Sequence, residues 1–210
     1  MNRRVSLLLL LALVAALVPF PAHAAKQKRP IIVCYGDSIT AGHGLIPSQA
    51  WPAALQQDLN ARGYHYRVIN AGVSGNTTKD GVDRLPLILT MHPAVVVVEF
   101  GGNDGLRGLP LAVTKRNLET IVSRLLAAHA KVVLAGITLP PNYGEAYIHQ
   151  FDLMYHQVAA RYHLPLLPML YAHIYTVPGA IQSDGIHPTA KGSRLLALAF
   201  LPLLLPLLHK

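Results

Sequence analysis

Ser38 stands in the run Ile31–Gly44, read I-I-V-C-Y-G-D-S-I-T-A-G-H-G, and its setting suits a nucleophile. Four apolar residues and Tyr35 predict a short buried strand that stops at Gly36. Ser38 then falls on the sharp turn leaving the strand, where a helix could begin. A hydroxyl there is exposed at the carboxyl end of a sheet, where open α/β folds bind ligands. Its own N–H would point out of a helix start, where developing negative charge is favoured. Gly-Asp-Ser is also ordinary turn chemistry, so the case depends on what the rest of the chain supplies.

Three later segments supply partners. Asn70-Ala71-Gly72-Val73-Ser74-Gly75-Asn76 offers Gly72, whose missing side chain would let a substrate carbonyl reach its N–H. The alternative is that Gly72 and Gly75 only permit positive φ. Ser74 competes as nucleophile, but Asn76 stands where G-x-S-x-G needs its last glycine. Gly101-Gly102-Asn103-Asp104-Gly105 offers the Asn103 amide as an oxyanion donor, with capping of a turn by Asn103 or Asp104 as the alternative. Asp184-Gly185-Ile186-His187-Pro188 places a carboxylate and an imidazole three residues apart. Across one turn, Asp184 could hold Nδ1–H while Nε2 of His187 faces the serine. His43 is the rival base, though Asp37 is its one acidic neighbour at comparable spacing, and the turn itself can use that carboxylate.

The elements that must position these residues follow an alternating pattern. Strands are predicted at Ile31–Tyr35, His65–Ile69, Ala94–Phe100, Lys131–Ile137 and Leu164–Leu167, with helices near Ala50–Arg62, Thr78–Met91, Leu111–His129 and Tyr147–Tyr162. A last helix begins near Ala190. Val95–Val98 is too uniformly apolar for a half-exposed strand and is expected at the sheet centre. Each chemical segment follows a predicted strand, so a parallel sheet gathers them at one carboxyl edge. Pro202 and Pro206 argue against a straight helix through the apolar tail Leu195–Leu208.

Arg3 and Arg4, the apolar run Leu7–Val18 and Ala22-His23-Ala24 read as a secretory signal peptide, residues 1–24, leaving one domain over residues 25–210. The expected location is therefore outside the cytoplasm, in the periplasm or secreted. With 18 Lys and Arg against 10 Asp and Glu, the formal charge is +8. The basic residues look scattered in sequence and form no stripe interleaved with aromatics, which argues against a nucleic-acid partner. Diffuse positive charge favours transient contact with anionic lipid surfaces. The lone Cys34 cannot form an internal disulfide, and no thiol metal site can be assembled.

Together the four segments resemble the signature blocks of the GDSL, or SGNH, hydrolases, named for Ser, Gly, Asn and His, here Ser38, Gly72, Asn103 and His187. G-D-S-I-T-A-G-H-G-L, Trp51-Pro52-Ala53, N-A-G-V-S-G-N-T-T, G-G-N-D-G-L-R-G, L-P-P-N-Y-G and D-G-I-H-P are similar to the bacterial thioesterase I, lysophospholipase L1 and arylesterase group. The resemblance implies a three-layer α/β/α flavodoxin-like sandwich on a five-stranded parallel sheet. It also implies a serine hydrolase of carboxylic esters and thioesters, without metal or cofactor. Ser38, Asp184 and His187 would be catalytic, and Ser38, Gly72 and Asn103 would form the oxyanion hole. Two other readings are a carbohydrate O-deacetylase and a non-catalytic lipid-binding module. Leu106, Leu109, Leu139 and Pro140 near the catalytic edge point to an apolar acyl trough. A small-molecule acyl substrate and a monomer are expected.

Overall fold

A computed structural model describes residues 29–172 and 174–210. The predicted signal peptide lies outside the described residues. Five parallel strands form one sheet in the order β2-β1-β3-β4-β5: β1 (Ile31–Gly36), β2 (Arg67–Asn70), β3 (Val95–Glu99), β4 (Lys131–Ala135) and β5 (Leu166–Leu167). The valine strand is central, and all five of its residues are buried, as a strand covered on both faces requires. β2 starts two residues later than the apolar pattern predicts, and β5 keeps only two ladder residues. Gly36 pairs with Glu99 and Glu99 with Ala135, so the loops after β1, β3 and β4 leave at one level.

Among the described residues seven helices surround the sheet: α1 (Ser38–Ala41), α2 (Trp51–Ala61), α3 (Thr78–Leu89), α4 (Gly102–Leu106), α5 (Leu111–Ala127), α6 (Glu145–Tyr162) and α7 (Ala190–Leu204). α3, α5 and α6 pack side by side as one layer, and α2 packs with α7 as the other. Trp51 stacks on Phe200 across α2 and α7 with ring centroids 4.7 Å apart, and Arg194 of α7 grips both Asp58 oxygens of α2. In the other layer Tyr155 of α6 donates its hydroxyl to the Phe100 carbonyl at the end of β3.

The helix through the apolar tail does not break at Pro202. It runs to Leu204 and closes in a 3₁₀ turn at Leu205–Leu207. An interior proline costs about 3 kcal/mol in a helix. Leu196, Phe200 and Leu204 are each fully buried, and each contributes roughly 1.5–3 kcal/mol by leaving water, so packing wins. Pro202 itself is exposed, on the side away from that packing.

α3, α5 and α6 run back to the strand-start edge, and the turns that follow them contain His92, His129 and His163. All three adopt left-handed backbone conformations, with φ of 48°, 61° and 53°.

Candidate active site

α1 is shorter than its role suggested, a single turn that stops at Gly42. Asp37 caps it, its carboxylate accepting from the Ile39 N–H at 3.1 Å. This turn sets Ser38 at the carboxyl edge with its hydroxyl outward. His187 arrives from the loop before α7. That loop is folded on itself: Ile181 bridges Pro188, and the Gln182 N–H donates to the His187 carbonyl at 2.8 Å. Asp184 Oδ1 accepts the backbone N–H groups of Ile186 (2.9 Å) and His187 (3.0 Å), a turn in which Asp and His are three residues apart and face one another. The imidazole Nδ1 lies 2.7 Å from Asp184 Oδ2, and Nε2 lies 2.8 Å from Ser38 Oγ. Partial desolvation would raise the Asp184 pKa, but these N–H donors and the ring outweigh it and hold the carboxyl at about 2. An ionised Asp184 takes Nδ1–H, which leaves Nε2 as the acceptor for the Ser38 hydroxyl.

Of the three residues expected to form an oxyanion hole, Ser38 and Asn103 line the cavity. Gly72 does not present its N–H to the cavity, because that N–H donates to Asn70 Oδ1 at 2.9 Å. Its lack of a side chain serves packing: a Cβ there would run into the backbone of Thr40 and Ala41. Gly75 lines the cavity instead, at φ 82°, and no protein acceptor meets its N–H among the described residues. Neither does one meet the Ser38 N–H. Sequence reasoning passed over Gly75 because two glycines three apart look equivalent until the reach of Asn70 is known. Asn103 sits in the first turn of α4 and donates from Nδ2 to Asn76 O (2.9 Å) and to Asp37 Oδ2 (3.1 Å). From the end of α4, Arg107 Nη2 donates to Gly75 O at 2.9 Å, so one short helix holds the Gly75–Asn76 turn twice. Asp104 does cap a helix, but a distant one: it accepts from the Thr78 N–H at the start of α3, at 2.8 Å.

A second acid lies beneath Ser38. Glu99 ends β3 almost fully buried, accepting from the Thr40 hydroxyl at 2.7 Å and from the Asp37 N–H at 3.4 Å. Burial pushes the Asp37 pKa up to about 6, against the pull of the Ile39 N–H, Glu99 and His187. Burial and the neighbouring Asp37 charge push Glu99 well above the usual carboxyl range. Two buried carboxyls this close do not both ionise at neutral pH.

The cavity over Ser38 measures about 230 Å³. Ile39, Leu106, Ile137 and Ile186 provide its apolar wall, and Ser74 and His43 its polar rim. Of the four residues expected to form a trough, only Leu106 lines the cavity; Leu139 is buried against Gly105. The His43 ring packs on that of His187, centroids 4.5 Å apart and tilted by 39°, and among the described residues no carboxylate pairs with its nitrogens.

Residues 34–195 match the GDSL-like lipase/acylhydrolase family. The chain is 45% identical over 201 residues to the esterase TesA of Pseudomonas aeruginosa, covering 95% of this chain and 98% of that protein. It is 40% identical over 173 residues to thioesterase 1/protease 1/lysophospholipase L1 of Escherichia coli K12, covering 82% and 80% respectively. A crystal structure of TesA superposes with a TM-score of 0.81 at 45% identity, over 85% of this chain and 99% of that one. This chain accordingly belongs to the GDSL-like lipase/acylhydrolase family and is an ester hydrolase.

Proposed function

We propose that Ser38 is the nucleophile, His187 the general base and acid, and Asp184 the group that orients the imidazole. The observation that carries this is the chain of contacts from Ser38 Oγ to His187 Nε2 (2.8 Å) and from Nδ1 to Asp184 (2.7 Å). In acylation, Nε2 takes the hydroxyl proton as Oγ bonds to the ester or thioester carbonyl carbon. The carbonyl oxygen becomes an oxyanion, received by the N–H groups of Ser38 and Gly75 and by the Asn103 amide. Gly75 takes the place foreseen for Gly72, whose N–H is committed to Asn70. Collapse of the intermediate expels the leaving alkoxide or thiolate, which Nε2–H protonates. Water then repeats the sequence on the acyl-enzyme and frees the acid.

The substrate class is small-molecule acyl esters and thioesters, including acyl-CoA thioesters, lysophospholipids and aryl esters. The apolar wall of Ile39, Leu106, Ile137 and Ile186 supports acyl chains over acetylated sugars. The enzyme works as an exported monomer, most naturally in the periplasm, with residues 1–24 removed and 25–210 as its one domain. Contact with lipid surfaces belongs to the same reading, given a formal charge of +8 for the full chain and +6 once Arg3 and Arg4 leave with residues 1–24.

A covalent organophosphonate tests the nucleophile. Labelling is expected on the Ser38 peptide and to disappear in Ser38→Ala. Labelling that persists in Ser38→Ala and vanishes in Ser74→Ala would move the nucleophile to Ser74. A kcat/KM panel of acyl-CoA, lysophospholipid, aryl ester and acetylated sugar separates esterase from deacetylase. N-terminal sequencing of protein recovered outside the cytoplasm should begin at or near Ala25.

A further inference from the structure

Five of the basic residues that look scattered in sequence collect in space. In a parallel sheet whose long helices return the chain, the ends of α2, α3, α5, α6 and α7 and the strand starts lie on the edge away from Ser38. Arg29 precedes β1, Arg62 follows α2, Arg67 opens β2, Arg124 is in the last turn of α5, and Lys131 opens β4. All five are exposed, and no carboxylate lies within ion-pair distance of any of them among the described residues. Six of the ten acidic residues are distributed the opposite way. Asp37, Asp80, Glu99, Asp104, Glu145 and Asp184 sit at strand ends, helix starts or the loop before α7, all at the catalytic edge. Asp83, Glu119 and Asp152 lie mid-helix and Asp58 one turn before Arg62 in α2; Asp58, Asp83 and Glu119 are paired to Arg194, Lys79 and Arg161. The strand-start edge is therefore a face of unopposed positive charge, roughly 20 Å across at the usual strand spacing.

Apolar groups join that face. Leu87, 62% exposed near the end of α3, and Pro206, exposed in the closing 3₁₀ turn, lie toward it. Lys131 Nζ donates to the Leu207 carbonyl at 2.6 Å, which ties the apolar turn to the cations. The rings at its turns, Tyr64 and Tyr162, are half-buried, and the one exposed ring among the large hydrophobic residues described, Tyr175, is in the loop after β5. Cations around a small apolar protrusion suit phosphate headgroups over acyl chains better than stacked bases.

We propose that this edge docks the enzyme on the surface of an anionic phospholipid bilayer, with the catalytic edge turned to the aqueous side. The inference gives a location and an orientation to the lipid contact proposed above, and it is independent of the hydrolytic assignment. Long-range attraction is expected to fall steeply with salt.

The test is sedimentation of purified mature protein with vesicles of phosphatidylcholine containing 30 mol% phosphatidylglycerol, at fixed low salt. Binding is expected to these vesicles and not to pure phosphatidylcholine. Replacing Arg62, Arg67 and Arg124 together by Gln should weaken binding roughly 100-fold, about fivefold per charge. A control replacing Lys79, Lys115 and Lys191 by Gln makes the same change in net charge at or toward the other edge, and should bind within about threefold of wild type. Equal losses in the two triples would overturn the proposal, since binding would then follow net charge alone. Tighter binding to a 30-bp DNA duplex than to the vesicles at the same salt would assign the face to nucleic acid and also overturn it. Hydrolysis of a soluble aryl ester, measured free and vesicle-bound, should be equal. Blocked hydrolysis on vesicles would mean docking by the catalytic edge. A wild type that binds vesicles but turns over no ester would refute the hydrolase assignment and leave the docking face standing.

Discussion

Asn103 donates both amide protons before any substrate arrives, one to Asn76 and one to Asp37. Those bonds fix the direction of the amide, and an oxyanion would compete for it only as charge develops. Asn103→Ala is therefore expected to lower kcat by about 10²–10³-fold with little change in KM. A protein that melts early yet keeps its kcat would reduce Asn103 to a loop cap. The two histidines of the cavity separate as cleanly. His187→Ala should remove nearly all activity, whereas His43→Ala should stay within about fivefold of wild type, because His43 packs its ring on His187 and has no orienting carboxylate among the described residues. The reverse ranking in kcat would make His43 the base. What could be read from sequence at this scale was whatever is local. Asp184 and His187 are three residues apart, so one turn determines their contact. Gly75 could not be told from Gly72, because the Asn70 side chain decides which N–H is free.

The same division holds among the elements. A run of valines buried on both faces could only be central, and β3 is. β2 and β5 contract at the sheet edges, where fewer neighbours enforce the ladder. α7 outlasts Pro202 because the aromatic and leucine contacts behind it are non-local. The buried acids between β1 and β3 were likewise unreadable, since Asp37 and Glu99 are 62 residues apart. Their pKa values are raised in the fold, so the folded state binds protons that the unfolded state has released. Stability is then greatest below pH 4 on this account alone, and falls as pH rises; for Asp37 the window is from 3.8 to about 6. Asp184 has the opposite sign: its contribution is present above pH 3.8 and is lost as pH falls through about 2. Glu99→Gln keeps the acceptor for Thr40 without the charge. Its melting temperature is expected to match wild type near pH 5 and to exceed it at pH 8. Parallel melting curves across that range would show that Glu99 does not titrate there.

At the scale of the molecule, the parallel sheet separates two surfaces. One edge gathers the loops that make a reaction, and the other gathers turns and cations. The histidines in left-handed conformation belong to the second edge, and they mark untapped capacity for heat resistance. At each, a Cβ is held where glycine would be at ease, at positions remote from Ser38. Exchange of His92, His129 and His163 for Gly is expected to add about 0.5–1 kcal/mol apiece, net of the entropy glycine brings to the unfolded chain. For a chain of this size the triple variant should melt roughly 5 °C higher. Its kcat at a fixed temperature should be unchanged, so an industrial biocatalyst could be hardened from its far side without approaching the chemistry.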